Sequence, residues 1–307
     1  MVTRSTSLAS TAFEHARDSA TGRTATDRTP LWLWWNILSI DAPAVAGIWA
    51  IVFARAARIT LPAAEVLALT ASVWLIYVAD RILDGWRSAD SETLRERHRF
   101  YKRHPLSTIG CWAIVLVATL WLVRERLEPA IAQNGLQLAV IVGAYFICVH
   151  ADCERVFRVL PKEAAVGMIF AAGTVAPAWT HLRGASTGMI APLCLFGALC
   201  TLNCIAIECW ENHRPRGAWR KMPHRLIVWA DSRIHLLAAG LAVGALLLDL
   251  LPFTRGISGG LLPAVSVSAV LLGALNTQRE RLSSNALRVL ADTALLVPAL
   301  LALAAGF

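Results

Sequence analysis

The chain reads as an all-α polytopic membrane protein, a bundle of nine transmembrane helices with a cytosolic N-terminus. Three observations predict this. Hydrophobic residues make up 56% of the 307 positions and charged residues only 16%, with a mean hydropathy of +0.54; soluble domains carry roughly 25% charged residues. The apolar residues are spread along the chain in runs of membrane-crossing length, which argues for one integral domain. The basic residues fall into alternate connecting loops.

Residues 1–30 stand apart, rich in Ser, Thr and Ala, with scattered charges and no apolar run. Without a hydrophobic stretch they do not read as a secretory signal peptide. They read as a disordered cytosolic tail, with an organellar transit segment as the alternative. Residues 31–307 form the transmembrane domain.

Nine apolar segments follow, near 33–54, 61–80, 106–123, 135–151, 161–180, 188–208, 234–251, 259–276 and 286–305. Each approaches the ~20 residues that a helix needs to cross a bilayer. Trp32, Trp34 and Trp35 precede the first as an interfacial anchor. With nine spans and the tail inside, 23 of the 29 Lys and Arg fall on the cytosolic face and six on the other. That asymmetry is the positive-inside pattern, and it accounts for the net charge of +8 without nucleic acid. The dense stretch Arg95, Arg97, Arg99, Lys102 and Arg103 has two readings: contact with anionic lipid, or a cap over a bound phosphate.

The topology brings the ends of the second and sixth spans to one side. Each carries an acidic pair, in Tyr77-Val-Ala-Asp80-Arg81-Ile-Leu-Asp84-Gly85 and in Asn203-Cys-Ile-Ala-Ile-Glu208-Cys-Trp-Glu211-Asn212. Asp80 and Asp84 are i and i+4, Glu208 and Glu211 i and i+3, so each pair shares one helical face. Hard oxygen ligands so arranged suit Mg²⁺, held by one or two carboxylates plus phosphate oxygens and water. Arg81, Arg155, Arg158 and Lys162 lie on the same side and suit a diphosphate. The competing reading is a set of interfacial salt bridges. Asp41, about eight residues or roughly 12 Å into the first span, should face a cavity, aided by a kink at Pro43. Asp292 in the last span reads as a polar contact between helices. Gly240-x-x-x-Gly244 reads as a helix-packing notch.

The seven cysteines lie mostly in apolar stretches and contain no pair of Cys-x-x-Cys units, which argues against a zinc site or a disulfide framework.

These motifs resemble the UbiA superfamily of intramembrane prenyltransferases, of the 4-hydroxybenzoate polyprenyltransferase kind. That family has nine spans and aspartate-rich motifs after the second and sixth. Its first motif, Asn-Asp-x-x-Asp-x-x-x-Asp, is matched at Asp80 and Asp84, with Ile76 and Tyr77 in place of the leading Asn and Asp. Its second, Asp-x-x-x-Asp, is matched loosely by Glu208, Glu211 and Asn212. Ser39-Ile-Asp41-Ala-Pro43 resembles the start of the family's first helix, and Leu160-Pro161-Lys162-Glu163 the entry to its fifth. The resemblance covers roughly residues 31–305. It implies a Mg²⁺-dependent enzyme moving a prenyl group from an isoprenoid diphosphate to a lipophilic acceptor, an aromatic ring as in much of the family. Asp80, Asp84, Glu208 and Glu211 would hold the metal, Arg81, Arg155, Arg158 and Lys162 the diphosphate, and Asp41, Tyr77, Asn203 and Asn212 would line the cavity. A bacterial inner membrane is the expected location. Two alternatives stand beside this: a transporter or lipid-binding protein, and the same fold without turnover.

Overall fold

The computed structural model describes residues 31–87, 104–150, 161–182, 187–212, 224–251 and 260–306. Among them every regular element is an α-helix: α1 (Leu31–Ile37), α2 (Asp41–Ala56), α3 (Ala63–Arg87), α4 (Pro105–Arg126), α5 (Pro129–His150), α6 (Lys162–His181), α7 (Thr187–Asn212), α8 (Arg225–Asp231), α9 (Ile234–Asp249), α10 (Leu261–Thr277) and α11 (Ser284–Ala304). The chain divides into two compact units, Met1–Trp34 and Trp35–Phe307. Of the first, only the opening residues of α1 are described.

Among the described residues, five helices are long and apolar enough to cross a membrane: α3, α4, α5, α7 and α11. The α8–α9 pair, bent by 82°, makes a sixth if counted as one span. This marks a helical membrane protein. The α2 and α10 helices are apolar but only 16 and 17 residues long. The α6 helix has 20 residues but opens on Lys162 and Glu163 and is rich in small side chains.

The first apolar segment is two helices, not one. Ser39 adopts φ 58, in the left-handed region. Its N–H donates to Asn36 O, and the Ile40 N–H donates back to Trp35 O at 3.1 Å. This is the double closure of a Schellman cap, which ends α1. Asp41 then opens α2, where the helix dipole favours a carboxylate. Pro43 also sits in that first turn, where no intrahelical N–H is needed, so it imposes no kink. The expected depth of Asp41 in a continuous helix, and the kink beyond it, are therefore corrected: the break precedes Asp41.

α2 occupies the middle of the bundle, against α3, α6 and α11. Its small residues let these helices close in, and Trp49 and Phe53 fill the space beside them. Both rings meet Phe196 of α7, with centroids 4.6 and 5.3 Å away. Trp49 Nε1–H donates to the Leu295 carbonyl of α11 at 3.0 Å, which satisfies the one polar atom of a fully buried indole. By contrast α4 and α5 turn Ile114, Val117, Leu136, Val140 and Ile147 outward, as lipid-facing helices do.

Two close approaches set the register. A Cβ on Gly167 of α6 would lie 2.5 Å from the Thr201 backbone nitrogen of α7, so only glycine allows this contact. Likewise a Cβ on Gly273 of α10 would lie 3.2 Å from the Ala238 Cβ of α9. The Gly240-x-x-x-Gly244 notch does not serve packing inside the described chain: a Cβ on either glycine meets nothing within 4 Å.

Candidate functional site

The antiparallel contact at Gly167 carries the start of α6 to the end of α7. Pro161 forms the N-cap, and Lys162 follows it. Lys162 Nζ lies 3.6 Å from Glu163 Oε1 and 3.9 Å from Glu208 Oε1. Asp84, near the end of α3, also acts electrostatically on Lys162. One lysine thus sees a member of each acidic pair, and the ends of α3 and α7 converge on the start of α6. Tyr145 of α5 interacts with Asp80, Asp84 and Glu163 from a further side.

The second pair is engaged by cations of the chain. Glu211, whose side chain is 6% exposed, accepts a hydrogen bond from Arg288 Nη1–H at 3.1 Å. Glu208 and Glu211 face different partners, Lys162 from α6 and Arg288 from α11. Asn212 is buried beside them. Among the described residues no three His, Cys, Asp or Glu side chains converge to hold a metal ion. The four carboxylates do not close a protein-only cage there. Mg²⁺ arriving on a diphosphate does not need one, because phosphate oxygens and water complete its octahedron.

Arg81 is placed otherwise than the sequence suggests. It is 3% exposed and donates through Nη1 to the carbonyls of Asn36 and Ile37, the latter at 3.1 Å. Through Nη1 it braces the turn between α1 and α2. Arg155 and Arg158 lie outside the described residues, as does the basic stretch from Arg95 to Arg103.

A second polar group lies within the bundle, one helical turn beyond Arg288. Asp292 accepts from Asn203 Nδ2–H of α7 at 3.4 Å. This is the contact between helices that its sequence position implies. Asp41 accepts from Asn36 Nδ2–H at 2.5 Å and from the Ala42 N–H at 3.0 Å. Asp41 and Asp292 lie within electrostatic reach of one another. Tyr77 is within electrostatic reach of Asp41, Cys204, Arg288 and Asp292.

Sequence reasoning did not assign Asn36, Tyr145, Glu163, Cys204 or Arg288 to the site. A signal existed for one of them. Arg288 and Asp292 are i and i+4 inside an apolar run, where a charged pair is costly unless it serves a packed polar cluster. Asn36, Tyr145 and Cys204 carry no such mark.

Comparison of the chain with protein-family models, with curated proteins and with solved structures gave no match.

Proposed function

We propose that this protein is an intramembrane transferase that moves a prenyl group from the magnesium complex of an isoprenoid diphosphate to a hydrophobic, aromatic acceptor. The observation that carries the reading is the pairing of Lys162 Nζ with Glu208 of one acidic helix end at 3.9 Å, within electrostatic reach of Asp84 of the other. A cation flanked by carboxylates, at the end of an apolar bundle, matches a magnesium diphosphate: oxygen ligands for the metal and a positive charge for the phosphate. Asp80 and Asp84 offer the i, i+4 carboxylates, and Glu208, beside Lys162, a third. Lys162, with its side chain 53% exposed, reaches the phosphate oxygens. Neutralising the diphosphate assists its departure; the allylic cation left behind is attacked by the acceptor ring, which then loses a proton. The prenyl tail lies among apolar helices. In this reading the chain spans a bacterial inner membrane nine times, with its N-terminus in the cytosol.

The pairing of Glu211 with Arg288 favours a second reading, in which the fold binds an isoprenoid lipid without turnover. One experiment separates them. Purified protein is incubated with Mg²⁺, prenyl diphosphates and a membrane-lipid extract, and products are read by mass spectrometry. Prenylated products that require both Mg²⁺ and Asp84 support the transferase. Binding without product supports the second reading.

A further inference from the structure

We infer that α8 and the elbow leading into α9 form a docking surface for the headgroups of anionic phospholipids. The inference does not depend on the transfer reaction proposed above.

The short α8 helix has two faces. Ile227 and Ala230, at i and i+3, are buried against the bundle, and Ile234 continues that face into α9. Leu226 and Trp229, also i and i+3, are 48% and 49% exposed. Arg225 and Arg233 are exposed beside them. The one acid of the helix is already matched: Asp231 accepts from Arg279 Nη1–H of the α10–α11 turn at 2.8 Å, with its side chain 13% exposed. The outer face of α8 is therefore apolar and cationic and carries no carboxylate.

Two features place that face at the edge of the bilayer. The membrane-crossing helix α7 ends at Asn212, and Cys209 Sγ of its last turn lies 4.0 Å from the Ile227 carbonyl. From there α9 leaves α8 at 82° and turns Leu236, Val243 and Leu247 outward, as a lipid-facing helix does. With α9 running into the bilayer, α8 runs along its surface. A helix lying so puts apolar side chains at the acyl boundary and cations among the headgroups. An indole such as that of Trp229 suits the same depth.

Arg233 is held in place for this contact. Its guanidinium lies over the Trp229 ring, 4.9 Å from the centroid. Its Nη1 donates to the Trp229 carbonyl at 3.1 Å and to Ser232 Oγ at 3.0 Å. These contacts fix the cation at the elbow and use only one of its three nitrogens; the others suit phosphate oxygens. Charge complementarity names the occupant. A zwitterionic headgroup brings its own cation to the two arginines, whereas an anionic one answers them.

The test uses the full-length protein in nanodiscs made of equal parts phosphatidylcholine and phosphatidylglycerol. A photoreactive benzophenone amino acid replaces Leu226, and lipid adducts are counted by mass spectrometry after illumination. Phosphatidylglycerol adducts should exceed phosphatidylcholine adducts by about fivefold, the scale of one basic residue at an anionic surface. Arg225→Gln combined with Arg233→Gln should return the ratio to that of the bilayer. The same probe in place of Val243, on the lipid side of α9, should label both lipids alike. Equal labelling at Leu226, the same preference at Val243, no lipid adduct, or a cross-link to a second copy of the chain would each overturn the proposal. Should the double variant fail to fold, salt decides: the preference at Leu226 should fall at 1 M NaCl, and an unchanged ratio refutes it. No substrate is added, so transferase activity has no bearing on the outcome.

Discussion

The two ends of α6 treat charge in different ways. At its last turn, His181 meets the carboxyl of Glu65, from the first turn of α3, at 3.0 Å. Beside it Asn134 donates to Thr180, and Thr180 donates to the Ala176 carbonyl, both at 2.8 Å. That end is closed: each polar atom named there has its match. About 30 Å away, at the first turn, Lys162 and Glu163 enter a neighbourhood holding Asp80, Asp84, Tyr145, Glu208, Glu211 and Arg288. Just inside it, Asn203 Oδ1 and Arg288 Nε–H are left unmatched. Buried polar groups are normally satisfied, so an end that leaves some over is the end with work to do. The lesson is that charge at the edge of a membrane bundle is not informative by itself; the balance of donors and acceptors is.

Substitutions at the two ends test this contrast. The largest effect is expected from Arg288→Ala, which removes the 3.1 Å ion pair to the 6%-exposed Glu211. Breaking a buried pair from one side costs about 3–5 kcal/mol. Thermal unfolding in detergent should show that loss, and Arg288→Lys should recover part of it.

Next come Asp84→Asn and Glu208→Gln. Each removes one charge facing Lys162 and keeps side-chain size. Prenyl transfer should fall by about a hundredfold or more, the scale of losing one electrostatic contact to a departing group. The melting temperature should stay close to that of the wild type. Full activity in both variants would make these acids structural and break the contrast.

Gly167→Ala should weaken both properties together. Its Cβ would press on the Thr201 backbone at 2.5 Å, and overpacking of this kind costs about 1–3 kcal/mol. Parting α6 from α7 also moves Lys162 from Glu208, so activity and stability should decline in parallel.

The smallest effect belongs to the closed end. Glu65→Gln keeps a hydrogen bond to His181 and loses the charge, for about 1 kcal/mol of stability. Transfer activity should remain within a few-fold of wild type. A large activity loss there would show that the two ends are coupled through α6.

Much of the helix plan was legible in the residues, because a bilayer demands long apolar runs and the chain supplies them. Each of the nine apolar segments contains a helix, with α8 added ahead of α9. The division of the first segment was less visible. Ser39 takes a left-handed conformation that its own side chain does not favour, and Arg81 from α3 holds the resulting turn by its carbonyls. The glycine notch on α9 misled for a related reason: a small-residue motif permits close approach but does not say which helix will come. Among site residues, Asp80, Asp84, Glu208, Glu211 and Lys162 could be picked out because charge is rare in apolar segments. Asn36, Tyr145 and Cys204 could not, since such residues are common in membrane helices and matter here only through what packs against them.

By itself, then, the sequence determined a helical membrane protein, the approximate course of its helices, and the placing of carboxylates at the ends of α3 and α7. These follow from hydrophobicity and from the period of the α-helix, both local properties. Only the tertiary structure decided that Lys162 pairs with Glu208 within electrostatic reach of Asp84, that Arg288 engages Glu211, and that Asp41 comes within electrostatic reach of Asp292. Those partnerships join residues up to some 250 positions apart. They exist because Gly167 and the small residues of α2 let particular helices come close, a condition set by shape rather than by any run of neighbouring residues.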